Sequence, residues 1–520
     1  MSNASLELGG DNWAAKDGNL LGYAVGDSSG KYVPREFTFT RGSNLAATRV
    51  AANGLIEKGR ENLLTQSNNF SSSDWMKFGS PTLTSGQSGY DGSNNAWLYE
   101  STTISHSMLQ LGSFNGVYTW SVYAKAGTAD GIRLRLSAST DTNIYVDLTD
   151  GSIITDQSGI TYNIESVGSG WYRVSITSNA SPHTDARIIV VDNVGASTTG
   201  TIYIQDAQLE IGLVATDYIE TGASTVQAGL LEDEPRIDYT GGTKSLLLEP
   251  SRTNLIGQSE YFDSWNKVGS PTITNNYGIS PEGVQNSTRF ETTSDRILYS
   301  VTTINADETF SIYMRGSGTL RMNIGSDNFY PSVTSDWVRY EFKTTQVGSQ
   351  TNVQIRGNGS AVDVELYGAQ YERNDYATSY IPTYGSSATR SADNAANTDT
   401  IDADNDFTLM IESRVGSESN TGKFFDGLGY LNINDIGNLR FRYNSTNYSE
   451  SGDFTQTFKW LLRKNSTKME IFLNGTKLSD SITILPTGSA DINFENGYTK
   501  QFIVFPTALS DADCITLTTL

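Results

Sequence analysis

A block of sequence near residue 62 returns near residue 254 with its chemistry in the same order. Asn62-Leu63-Leu64-Thr65-Gln66-Ser67, Phe70, Trp75, Lys77 and Gly79-Ser80-Pro81-Thr82 are answered by Asn254-Leu255-Ile256-Gly257-Gln258-Ser259, Phe262, Trp265, Lys267 and Gly269-Ser270-Pro271-Thr272. Tyr118-Thr119-Trp120-Ser121-Val122-Tyr123 is answered by Glu308-Thr309-Phe310-Ser311-Ile312-Tyr313, and Trp171-Tyr172-Arg173 by Trp337-Val338-Arg339. The copies close on Ala207-Gln208-Leu209-Glu210 with Thr216-Asp217-Tyr218-Ile219, and on Ala369-Gln370-Tyr371-Glu372 with Thr378-Ser379-Tyr380-Ile381. Matched blocks in one order mark a duplicated domain, so the chain must hold two copies of one fold. The copies span residues 61–222 and 254–392.

The first copy is longer by about 24 residues between its tryptophan blocks, enough for one additional strand pair. There Ile132-Arg133-Leu134-Arg135-Leu136 and Ile144-Tyr145-Val146-Asp147-Leu148 alternate apolar and polar, the period of half-buried strands. Short alternating segments divided by Gly, Ser, Asn and Asp turns predict an all-β chain of tandem antiparallel β-sandwiches, with a jelly roll in each copy. Composition agrees. The 520 residues include 49 Gly and 27 Tyr, and 37% are hydrophobic, enough to bury real cores.

Three pieces lie outside the copies. Residues 1–60 are Gly-rich and irregular with one strand-like run, Glu36–Thr40, and predict an attachment or oligomerisation segment ordered by other chains. Residues 223–253 read as a linker around Pro235, Gly241 and Gly242. Residues 393–520 form a third domain opening on Phe407-Thr408-Leu409-Met410-Ile411, with Asn474-Gly475 between apolar alternations as a hairpin signal.

Net charge −22 argues against nucleic acid, which needs a basic patch to displace phosphate counterions. No segment approaches the roughly 20 apolar residues of a membrane span, so no membrane insertion is expected. The opening Met-Ser-Asn-Ala-Ser-Leu-Glu-Leu-Gly-Gly lacks the basic and apolar regions of a secretory signal. Cys514 alone excludes an intramolecular disulfide, and His106 and His183 read as loop or strand-edge residues.

Candidate chemistry is sparse. Gly26-Asp27-Ser28-Ser29-Gly30 has the spacing of a nucleophile elbow, but Lys31-Tyr32-Val33-Pro34 does not start a helix, so a Gly/Ser turn is the better reading. Asp402, Asp404 and Asp406 share the spacing of a calcium loop, but Phe407 and Ser413 stand where its Gly and Glu belong; a solvated acidic linker is preferred. No catalytic residue, metal ligand or cofactor is assigned. Trp75 and Trp265, and likewise Trp171 and Trp337, recur between copies and read as packing. Trp97 and Tyr99 differ. Aligning Leu98 with Phe290 turns Leu98 inward and puts Trp97 and Tyr99 on an exposed face, as candidate carbohydrate-binding residues.

Three sets of residues carry a family resemblance. They are Phe37-Thr38-Phe39-Thr40-Arg41 with Ala47-Thr48-Arg49-Val50 and Gly54-Leu55-Ile56-Glu57; Pro235-Arg236-Ile237-Asp238-Tyr239 with Leu246-Leu247-Leu248-Glu249-Pro250-Ser251-Arg252-Thr253-Asn254-Leu255; and the Asn-Leu-Leu start of a copy with the close Tyr380-Ile381-Pro382-Thr383. Together they resemble virion structural and fibre-like proteins of tailed bacteriophages that carry carbohydrate-binding-module-like jelly rolls. The first copy departs at its close, Tyr218-Ile219-Glu220-Thr221, which lacks the proline. Phe407–Ile411, Asn474-Gly475, and Phe502-Ile503-Val504-Phe505 with Ala508-Leu509-Ser510-Asp511-Ala512 resemble a concanavalin/laminin-G-like β-sandwich.

The resemblance implies a non-enzymatic tail or head fibre, made in the host cytoplasm and carried on the virion. Its implied partners are other virion proteins, copies of itself as a trimer, and host-surface polysaccharide. Two alternatives stay open: a purely architectural capsid or tail decoration protein, and a glycan-processing enzyme.

Overall fold

The structure, a computed structural model, describes residues 4–10, 13–16, 19–25, 32–42, 45–104, 106–138, 140–157, 159, 161–180, 182–302, 306–345, 352–416, 423–426, 428–433, 438–494 and 496–520. The Gly26–Gly30 motif lies outside these residues. Among the described residues the strand pairings are antiparallel, with one short α-helix, Asp511–Thr518. Among the described residues no helix is long and apolar enough to cross a membrane.

The first copy is a sandwich of two six-stranded sheets. Inward residues from both layers, among them Trp120, Val122, Ile132, Leu134, Ile188 and Ile204, form one buried core. In the second copy a single 18-residue strand, Asp307–Ile324, serves both sheets, turning the corner at Gly316 and Gly318 with φ of 133° and 110°. Glycine is needed there, since a Cβ on Gly316 would sit 2.3 Å from the Asp363 carbonyl oxygen.

The duplication holds down to individual hydrogen bonds. Asn62 Nδ2 donates to the carbonyls of Ala207 and Ile219, and Asn254 Nδ2 to those of Ala369 and Ile381. Ser67 Oγ pairs with the Tyr218 hydroxyl at 2.6 Å, and Ser259 Oγ with that of Tyr380 at 2.7 Å. The buried carboxylates Glu210 and Glu372 each accept from a threonine backbone N–H and hydroxyl, those of Thr216 and Thr378. These repeated polar residues satisfy the buried ends of the loops that close each sandwich. The length difference is placed differently from the expected pair. The hairpin of Gly131–Ser137 with Thr142–Asp147 is shared, since Leu320–Ile324 takes the place of the former. The first copy's added edge strands are Ile153–Gln157 on one sheet and Thr161–Gly168 on the other.

The third sandwich is assembled from three parts of the chain. Phe407–Arg414 pairs with Phe458–Lys464 and with Gly497–Phe505, and Asn474 and Gly475 (φ 46° and 78°) turn the predicted hairpin. Leu6–Gly9 then pairs along Gly497–Phe505, from Leu6 opposite Val504 to Gly9 opposite Gln501. Tyr32–Thr40 pairs with Asn394–Asp402, and Ser245–Leu248 of the linker also pairs with Gly497–Phe505. Leu6, Leu8, Leu20, Phe37 and Phe39 enter the same core as Phe494 and Phe502. The described strands within residues 4–40 thus complete a core at the other end of their own chain, a pairing that the reading of residues 1–60 as a segment ordered by other chains did not anticipate. The linker is corrected, since its hairpin, Arg236–Asp238 with Ser245–Leu248, belongs to this sandwich.

A buried charge cluster joins these parts. The guanidinium of Arg236 bridges Glu249 (2.7 Å) and Asp393, Arg390 reaches Glu249 at 3.0 Å, and Arg41 reaches Asp393 at 3.5 Å. Burial pushes the Glu249 carboxyl up, but Arg390 and Arg236 outweigh it and hold the group down at about 2. His106, in the loop before Ser107–Phe114, and His183, at the start of His183–Val191, are both buried; His106 Nδ1 accepts from the Thr102 backbone N–H at 3.1 Å, and the His183 ring packs 5.8 Å from Tyr118. The Asp402 carboxylate accepts from the Asp404 backbone and the Asn405 amide, and Asp404 from the Gly488 backbone, so these acids brace turns.

Two predictions follow from this packing. Glu249→Gln should destabilise the fold by about 3 kcal/mol, because it leaves two buried arginines short of a counter-charge. The depressed carboxyl contributes stability that is present above its ordinary 4.5 and lost as pH falls toward about 2. Denaturant titrations across that window should show a shallower acid dependence in the variant, and identical curves would rule the contribution out. Deleting residues 1–40 should lower the unfolding transition of the third sandwich in calorimetry; an unchanged profile would show that those strands add nothing.

Candidate functional site

The strand Ala96–Ser101 carries the sequence-proposed aromatics. It lies between Thr82–Gln87 and Gly200–Ile211, with Trp97 opposite Ile204 and Tyr99 opposite Ile202. In the second copy Phe290 faces Val364, which holds the place of Ile202. Tyr99, and not Leu98, therefore corresponds to Phe290. A slip of one residue exchanges the two faces of a strand. Tyr99 is fully buried in the sandwich core, which corrects its assignment as an exposed sugar platform. Its hydroxyl finds no hydrogen-bond partner among the described residues.

Trp97 also turns inward, but at the rim, where it is half-buried. Its ring packs edge-on against Phe70 at 6.3 Å, and its Nε1–H donates to the Asn68 carbonyl at 2.8 Å. It stands in the wall of an open cleft of about 750 Å³ between the 66–69 turn, the 94–95 loop and the 220–222 segment. Around it are the amides of Gln66, Asn68, Asn69, Asn94 and Asn95 and the carboxylate of Glu220. The walls are held from behind. Gln205 Nε2 donates to Asn95 Oδ1 at 2.7 Å, and Asn68 Oδ1 accepts from the Asp206 backbone at 3.1 Å. Asp206 sits in the left-handed region (φ 51°), is 5% exposed, and accepts from the Tyr90 hydroxyl at 2.9 Å. Burial, then the nearby Asp91 and Glu220, raise its carboxyl to about 6 despite the Tyr90 hydrogen bond. Among the described residues no basic side chain forms an ion pair with Asp206, Asp91 or Glu220.

The second copy has the same cleft, closed. Asn68, Asn95, Glu220 and Gly222 correspond to Glu260, Asn286, Pro382 and Tyr384, which line a residual space of about 20 Å³. Lys58 fills it, on the short strand Ile56–Lys58 that is tied down by the Ile56 N–H donating to the Pro281 carbonyl. Its ammonium lies 3.0 Å from Glu260 and 2.8 Å from Glu282, over the Tyr384 ring at 5.2 Å. Burial disfavours the charged lysine, yet Glu260 and Glu282 outweigh it and its pKa is raised. Thr288 replaces Trp97, and Gly368 (φ 63°) replaces Asp206.

Thus the structure places Trp97 in a candidate site and Tyr99 outside it, and adds Asn68, Asn95, Asp206 and Glu220. For Asn68, Asp206 and Glu220 the signal was present in the sequence as positions where the two copies disagree, whereas Asn95 is matched by Asn286 and carried none. Among the described residues no cluster of three His, Cys, Asp or Glu side chains is arranged to hold a metal ion.

No protein-family model and no curated protein matches the sequence. Among solved structures, domain 4 of AbnA, a GH43 extracellular arabinanase from Geobacillus stearothermophilus, in complex with arabinotriose, is similar at 13% identity, covering 25% of this chain and 73% of that one, with a TM-score of 0.21. The N-terminal CBM22-1-CBM22-2 tandem domain of Paenibacillus barcinonensis Xyn10C is 9% identical over 64% of this chain and 100% of that one, with a TM-score of 0.19. Trypanosoma rangeli sialidase is 10% identical over 94% and 95%, with a TM-score of 0.20. TM-scores this low carry no argument about ligand or activity.

The facing of the strand is open to direct test. Tyr99→Phe should leave stability unchanged or raise it by about 1 kcal/mol, since it deletes a buried hydroxyl without a partner and installs the residue of the second copy. A loss of more than about 1 kcal/mol in denaturant unfolding would mean the hydroxyl is satisfied after all.

Proposed function

We propose that this protein is a non-enzymatic glycan-binding protein, and that the cleft beside Trp97 in the first jelly roll is its binding site. The observation that carries this reading is the cleft itself: an indole beside a ring of side-chain amides, left open in one copy of a duplicated fold. Sugars present a flat C–H face and a rim of hydroxyls. An aromatic ring with several convergent amides answers both. Glu220 is the one carboxylate among the described lining residues. Hydrolysis of a glycoside normally uses two flanking carboxyl groups, which favours binding over cleavage.

The sequence resemblance to phage appendage proteins supports a place on a virion, as a tail or head fibre facing the host surface. Single sites of this kind bind weakly, around millimolar or about −4 kcal/mol. Display of many copies on one particle would convert that to firm attachment.

The test is a glycan array and a host-cell binding assay with the protein displayed multivalently. Binding should fall several-fold in Asn69→Ala, an exposed lining residue, with an unchanged thermal midpoint. Trp97→Thr, the second copy's residue, should abolish it. Absence of binding to host cells and to every glycan class would reject the reading in favour of an architectural decoration protein.

A further inference from the structure

The two copies differ most at one place, and there the second holds a ligand supplied by its own chain. In the second cleft an ammonium group, Lys58 Nζ, is taken by two carboxylates, Glu260 and Glu282, and an aromatic ring, Tyr384. Arg60 adds a second cation at 2.8 Å from Glu282. In the first cleft Asn68 stands for Glu260, while Asp91 keeps an acid at the place of Glu282 but turns it to Ser93 and away from the open space. Further acid is added at new positions: Glu220 on the cleft wall where the second copy has Pro382, and Asp206 behind that wall where it has Gly368. The aromatic also reappears from a new position, Trp97 in place of Thr288. The elements that captured an ammonium have thus been rebuilt around an open space, and the cation has been left out.

Asp206 is the costly part of that arrangement. A non-glycine residue is held in the left-handed region and its carboxylate is nearly buried, beside Asp91 and Glu220, with no basic partner among the described residues. Its carboxylate is met from inside the fold by the Tyr90 hydroxyl and Gln205 Nε2, and it adds negative charge behind the wall that Glu220 faces. Neutral sugars satisfy amides but offer a carboxylate such as Glu220 nothing beyond hydroxyl donors. A sugar bearing a free amine offers a cation at hydroxyl-like reach.

The geometry points to a cationic amino sugar, a glucosamine-type residue with an unacetylated amine, as the ligand of the first cleft. Its ring lies against Trp97 and its ammonium faces Glu220, with Asp206 behind. This rests on the glycan-binding reading and narrows its substrate class. A lysine side chain of another protein shares the charge, but an open cleft of about 750 Å³ lined by amides suits a sugar ring better than an alkyl stem.

The test uses the full-length protein and isothermal titration with three probes: a glucosamine oligomer, the N-acetylated oligomer of the same length, and a lysine-rich peptide. Slightly below neutral pH keeps the amine charged. The glucosamine oligomer should bind about tenfold more tightly than the acetylated one, and added salt should erode the difference. Glu220→Gln, at an exposed position, should remove that advantage, bringing the two oligomers to equal affinity, while leaving the thermal midpoint unchanged. Equal or tighter binding of the acetylated oligomer would overturn the amine assignment and leave glycan binding standing. Binding of the peptide without the glucosamine oligomer would overturn it in favour of a protein ligand. Silence from both oligomers, together with an empty glycan array, would overturn both readings.

Discussion

The Arg236 guanidinium, buried between Glu249 and Asp393, is the constraint that fits the second and third sandwiches to the segments flanking the first. It stands on the hairpin between the two copies. Asp393 and Arg390 lie where the second copy hands over to the third sandwich, and Arg41 comes from the N-terminal strands. Arg41 also donates to the carbonyls of Glu234 and Leu231, and Arg390 to that of Pro250. Such a cluster adds little stability over a well-packed apolar one, but it tolerates no partial assembly. Each segment arriving supplies the counter-charge of another, so the sandwiches meet in one arrangement. Three of the residues quoted for the sequence resemblance, Arg41, Arg236 and Glu249, belong to this cluster.

The sandwich fold and its duplication were legible because they are written in local signals. Period-two alternation marks strands, and the repeated Asn, Gln, Glu and Thr positions are the polar hubs that close each copy. The partner of residues 4–40 was not legible. Pairing Leu6–Gly9 with Gly497–Phe505 is a contact across nearly the whole chain, and nothing in either strand names the other. Ser245–Leu248 shows the same limit, since a buried apolar run inside a Gly- and Pro-marked linker reads equally well as a spacer. Trp97 and Tyr99 failed for a different reason. Their facing rested on matching Leu98 to Phe290 by hydrophobicity, whereas the matched glutamates, Glu100 and Glu291, set the register one residue over.

The two clefts show how a duplicated domain divides its labour. One copy accepts Lys58 and becomes part of the scaffold, fastened to the segment that leads into the first copy. At Gly116 and Gly385 the copies approach so closely that a Cβ on Gly116 would lie 2.1 Å from the Tyr384 carbonyl oxygen. With the second copy fixed in this way, the first is the one whose rim is free to change, and beyond its two added edge strands Asn68, Trp97 and Glu220 depart from their twins on that rim.

The pairing of Leu6–Gly9 with Gly497–Phe505 also sets a timetable for biosynthesis. Ser5 donates to the Val504 carbonyl across 499 positions of sequence. At the usual pace of a ribosome the early strands wait on the order of 25–100 s for their partner to emerge. Both jelly rolls have time to fold in that interval, while the first strands made remain an unpaired edge. The last sandwich to be completed is thus the one begun first. Nascent chains held close together on one message would be free to exchange those waiting strands before each closes on itself.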